Sequence, residues 1–126
     1  MKNSVTYNDS TLTKVVDNFL NKKSTFELDS NEKGNLFNLL MSLLIRLEDD
    51  YKLNCLDINQ VQIEDTAYYT FIFESAITAD TNPYKGQLED AAVHFMNEFT
   101  DNDGTFINFI CLDQEHTLFQ FNFSIS

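Results

Sequence analysis

The chain reads as an α+β domain in the order α-α-β-β-α-β-β, with an antiparallel sheet of about four strands and helices packed mainly on one face. Three observations predict this. Two N-terminal stretches and one in the second half repeat their apolar residues with the period of a helix, while residues 58–77 and the closing residues alternate with a period of two. With 126 residues, three glycines and one proline, the chain has the length of one domain and little material for a linker, so residues 1–126 are read as a single globular unit.

The first helix carries Leu12, Val15, Val16, Phe19 and Leu20 as one stripe, with Asp9 or Ser10 available to cap its start and Lys22 and Lys23 at the negative end of its dipole. The second opens at Asp29 or Ser30, where Glu32 completes a capping-box pattern. It continues through Leu36, Phe37, Leu39, Leu40, Met41, Leu43, Leu44, Ile45 and Leu47, apolar almost all round, which predicts a central helix buried on most sides. It turns polar at Arg46 and Glu48-Asp-Asp50.

In the β region that follows, Val61, Ile63, Ala67, Tyr69, Phe71, Phe73 and Ile77 occupy odd positions and polar residues the even ones. Glu64-Asp-Thr66 is read as a turn or bulge between a strand near Ile58–Glu64 and another near Tyr68–Ile77, although the lack of glycine leaves one long bent strand open. Asn82 and Pro83 suit the cap and first position of the third helix. Leu88, Ala91, Ala92, Phe95, Met96 and Phe99 form its apolar face, and Asp101-Asn-Asp-Gly104 ends it. The last segment reads as a hairpin. Phe106–Leu112, apolar on both faces, is expected to be an interior strand. Phe119, Phe121, Phe123 and Ile125 alternate inward, and a turn at Asp113–His116 sets Leu112 opposite Thr117 and Phe106 opposite Phe123, with Phe106 and Ile110 on the phenylalanine side.

Charge is the distinctive property. The net charge is −12. Residues 1–52 hold seven bases and eight acids, whereas residues 53–126 hold twelve acids and only Lys85. A field of one sign speeds encounter with an oppositely charged partner and repels nucleic acid and anionic membranes. The absence of a basic patch argues against direct nucleic-acid binding. The longest apolar run is too short to span a bilayer and the N-terminus lacks a signal-peptide core, so a soluble cytoplasmic protein with two free thiols is expected.

The residues that suggest chemistry do not assemble into a reactive set. Cys111, Asp113, Glu115 and His116 are close in sequence, but acidic, apolar surroundings raise a thiol pKa, and strand alternation separates the groups. Asp101-Asn-Asp-Gly104 lacks the acidic residues that a calcium loop requires, because Phe99 and Ile110 stand at those positions. Asp90, His94 and Glu98 form a row on one helix, a poor geometry for a metal. Neither a phosphate-binding glycine loop nor a nucleophile elbow occurs. The chain is therefore expected to be no enzyme and to hold no cofactor or metal.

The expected function is an acidic inhibitor that occupies the lysine- and arginine-lined groove of a nuclease or other nucleic-acid-binding protein, as a toxin's immunity protein or a phage-type anti-defence protein would. The expected contacts are Glu89, Asp90, Glu98, Asp101 and Asp103 of the third helix and its exit, with Glu64, Asp65, Asp113 and Glu115 of the loops as a second group. The alternative is a small acidic dimeric chaperone or adaptor, motivated by twelve phenylalanines and the apolar second helix. The oligomeric state, monomer or dimer, is open. An enzyme with a small-molecule pocket is the third reading and needs convergent polar groups in a cavity.

Overall fold

A computed structural model describes residues 2–22, 29–75, 85–115 and 117–126, and the side chains of all of these except 2–10 and 85. The expected element order holds: α1 (Lys2–Leu20), α2 (Ser30–Tyr51), β1 (Leu53–Ile63), β2 (Thr66–Ser75), α3 (Lys85–Phe99), β3 (Gly104–Cys111) and β4 (Leu118–Ile125). The strands form one antiparallel sheet in the order β1-β2-β4-β3. All three helices pack on one face, where Phe71, Phe73, Phe119, Phe121 and Phe123 are fully buried with Leu12, Val16, Phe19, Leu40, Leu44, Leu88, Ala92 and Phe95. Phenylalanines of β2, β3 and β4, with Leu53, Cys55 and Ile58 of β1, supply the apolar face that holds three amphipathic helices. Among the described residues, no helix is long and apolar enough to cross a membrane.

The helices follow their sequences. Asp29 caps α2, its side chain accepting from Glu32 N–H (2.8 Å) while its own N–H donates to Glu32 Oε1 (3.0 Å). Leu40, Leu43, Leu44 and Leu47 are buried, and α2 lies between α1 and α3 over β1. Leu39 emerges at 37% exposure, so one flank of this helix reaches solvent. The first helix begins earlier than expected: α1 runs unbroken through Asp9 and Ser10 to Lys2. Once Leu12–Leu20 is fixed by packing, each added turn gains a hydrogen bond per residue, and neither proline nor glycine stops it. Lys23, Ile77, Asn82, Pro83 and His116, invoked above for helix ends, a strand end and a turn, lie outside the described residues.

The turn expected at Glu64–Thr66 divides β1 from β2, and three other expectations about the sheet are corrected. Glu64–Asp65 is a tight two-residue hairpin, Ile63 pairing with Thr66, with Glu64 in the left-handed region (φ 55) where glycine or asparagine is the usual occupant. A two-residue turn makes directly opposed residues odd against even, so one all-odd stripe cannot face a single side of both strands. Ala67, Phe71 and Phe73 are buried, but Val61 and Ile63 are each 55% exposed on the opposite face. Ile58 and Gln60 take the inner positions, after a bulge at Leu56.

The second correction concerns the β3–β4 register. Phe106 opposes Phe123 as expected, but Cys111 opposes Phe119 and Leu112 N–H donates to the Leu118 carbonyl (2.8 Å). The turn is one residue longer, and a bulge at Ile107 restores the count. Phe109 and Cys111 thereby face inward with Phe106, Phe109 stacking on Phe119 at 5.2 Å, and Ile110 faces outward. The third correction is that β3 is an edge strand, not an interior one. Strand order cannot be read from apolarity alone.

Candidate partner interface

The nine carboxylates are placed by the ends of elements. Strand directions put the Glu64–Asp65 turn, Asp101 and Asp103 at one end of the sheet, where β3 starts and β4 finishes. Asp113 and Glu115 lie at the other end, with the β4 start and β2 finish. Glu89 and Asp90 are exposed on α3. At about 3.4 Å per residue, the two ends stand some 25 Å apart. The acids therefore form two groups and a helical flank around the sheet, not one patch.

The groups are not equally available. Glu64, Asp65, Glu89, Asp90, Asp101, Asp103 and Glu115 are exposed. Glu98 is engaged, its two oxygens each 3.4 Å from Arg46 Nη1 of α2 and its Oε2 2.6 Å from His94 Nε2. Asp113 is the keystone of its turn, accepting from Thr117 N–H (2.9 Å), Leu118 N–H (3.0 Å) and the Thr117 hydroxyl. The Thr117 hydroxyl, then the Leu118 N–H, hold its pKa down to about 2. Asp101 and Asn102 both have positive φ (55 and 67), and the tight exit from α3 that they make projects the carboxylates of 101 and 103 outward.

Two features have no role assigned to them from the sequence. The first is the sheet face that no described helix covers. Thr70 donates to Asn122 (2.7 Å), Asn122 donates to Asn108 (2.7 Å), and Gln120 also donates to Asn122 (3.2 Å), so a polar row crosses three strands there. Val61, Ile63 and Tyr68 flank it at one end, and Ile110 and Leu112 at the other. The even-numbered polar residues of β2 and β4 mark this face in the sequence, whereas the exposure of Val61 and Ile63 on it is set by the turn. The second is a groove of about 180 Å³ between α2 and α3, lined by Arg46, Tyr51, His94 and Glu98 among others. It falls below the roughly 300–1,000 Å³ of most ligand pockets.

The thiols have structural surroundings. Cys55 is buried, and desolvation pushes its pKa up. Cys111 Sγ donates to the Asp113 carbonyl at 3.1 Å. Among the described residues, no three His, Cys, Asp or Glu side chains converge as metal ligands. Comparison of the chain with protein-family models, curated proteins and solved structures finds no match.

Proposed function

We propose that the protein is an acidic inhibitor that binds and blocks a basic, nucleic-acid-processing protein. The observation that carries this reading is the segregation of charge, with twelve acids against one base in residues 53–126. Eight of the nine carboxylates named above are exposed at the sheet's ends and along α3, Glu98 among them although it is paired with Arg46 and His94. Carboxylates held tens of ångströms apart on a rigid sheet suit a groove built to follow phosphates, and steer it from a distance. Immunity and anti-defence roles both employ this physics.

Co-purification from native cells tests the reading. A basic nucleic-acid-processing protein is expected, inhibited at stoichiometric amounts, with inhibition weakening steeply as salt rises. Association indifferent to salt, or recovery of neutral and acidic partners alone, contradicts it.

The uncovered sheet face favours a second reading, an acidic dimeric chaperone or adaptor, because Val61, Ile63, Tyr68, Ile110 and Leu112 are each at least 40% exposed on it. Light scattering after size exclusion separates the two. A monomer that binds no hydrophobic dye removes the chaperone reading.

A further inference from the structure

The sheet has two edges, and the chain treats them differently. On β1, Ile58 is turned away from β2, and side chains occupy both of its main-chain groups. Its N–H donates to Asp57 Oδ1 (3.0 Å), and its carbonyl accepts from Lys22 Nζ (2.7 Å). With the bulge at Leu56, these are devices by which proteins close a strand to further pairing.

The β3 edge has little of this. Gly104–Cys111, together with Leu112, contains no charged residue and no proline. Its bulge at Ile107 leaves Asn108–Leu112 in regular register with β4. The Leu112-to-Leu118 bond sets the phase of the ladder: Asn108 and Ile110 exchange bonds with β4 and Leu112 donates one to it, while Phe109 and Cys111 direct N–H and C=O away from it. Among the described residues, β4 is the only strand paired with β3. Ile107, Ile110 and Leu112 are 45%, 40% and 45% exposed. This is the strand whose sequence reads as interior.

We infer that β3 is a docking edge that accepts an extended segment of another protein as a fifth strand. Charge selects the occupant. Asp101 and Asp103 stand at one end of the edge, Asp113 and Glu115 at the other, with an uncharged stretch between them. A second copy is disfavoured, because two-fold antiparallel pairing centred on Phe109 sets Asp103 against Glu115 at both ends. The fitting segment has roughly seven uncharged, β-forming residues flanked on both sides by lysine or arginine. This rests on the reading of the protein as a binder of basic partners and states where one contact is made.

The probe is a synthetic peptide of seven alternating valine and threonine residues between Lys-Arg pairs, with two derivatives N-methylated on complementary alternate residues. Only one set of peptide N–H groups points at β3, so one derivative is expected to bind at least about ten-fold more weakly and the other to bind like the parent. The parent is also expected to slow amide exchange at Phe109 and Cys111. Equal binding of both derivatives, no binding of any peptide, or a dimer already paired through β3 overturns the proposal. Salt-sensitive inhibition of a basic protein that persists when the β3 amides stay unprotected leaves the inhibitor reading standing without this edge.

Discussion

Gln60 occupies an inner-face position beside Ile58 and Tyr69, and its Oε1 is buried without a hydrogen-bond partner among the described residues. An unsatisfied buried oxygen costs about 1–3 kcal/mol, so Gln60→Leu is expected to raise the urea-unfolding free energy by about 1 kcal/mol. A loss of stability would show that the amide is needed beside Tyr69, its cross-strand partner. Asp113 is the opposite case, a carboxylate whose hydrogen bonds favour its charged form. Its folded pKa lies below the ordinary 3.8. The stabilisation it gives is therefore complete above that value and is lost as pH falls toward about 2. Asp113→Asn removes this titration, so unfolding measured across that acid window should show a shallower stability loss in the variant. An unchanged slope would mean that the turn bonds form equally in the unfolded chain.

The joint between α3 and β3 shows how closely the elements are fitted. Thr100 Oγ1 donates to the Met96 carbonyl (2.7 Å) and accepts from Gly104 N–H (2.8 Å). A Cβ added at Gly104 would stand 2.8 Å from both Met96 Cγ and Thr100 Oγ1. Gly104→Ala is expected to cost about 1–3 kcal/mol in chemical denaturation, through displacement of the joint that also orients Asp101 and Asp103. Element identity was legible throughout because burial enforces period, as the α1 stripe, the Asp29 capping box and the alternation of β2 and β4 all demonstrate. What was not legible depended on single-residue counts. Glu64 adopts a left-handed turn without glycine, and the Leu56 and Ile107 bulges reverse alternation with no distinctive residue to announce them. The edge position of β3 is set by pairing between distant segments, which local pattern does not encode. For the candidate interface, the identity and exposure of most acids could be read from composition and turns, whereas the engagement of Glu98 with Arg46 joins residues 52 apart and could not.

Across the protein, core and charge are separated cleanly. Phe71 lies within about 6 Å of the rings of Phe73, Phe95, Phe99 and Phe123, and this aromatic core fixes the sheet as a rigid frame. The carboxylates are mounted at its ends and on α3, clear of that core. A partner that reads them should respond to their number more than to any single one, because exposed pairs are each worth about 1 kcal/mol or less. The most direct measurement is the dissociation constant for the co-purified basic protein as NaCl rises from low to physiological salt, for the native chain and for a variant carrying Glu89→Gln, Asp90→Asn, Asp101→Asn and Asp103→Asn. The native chain is expected to lose about ten-fold or more in affinity, and the variant to start weaker and show a flatter dependence. Parallel curves for the two proteins, or affinity unchanged by salt, would contradict the account.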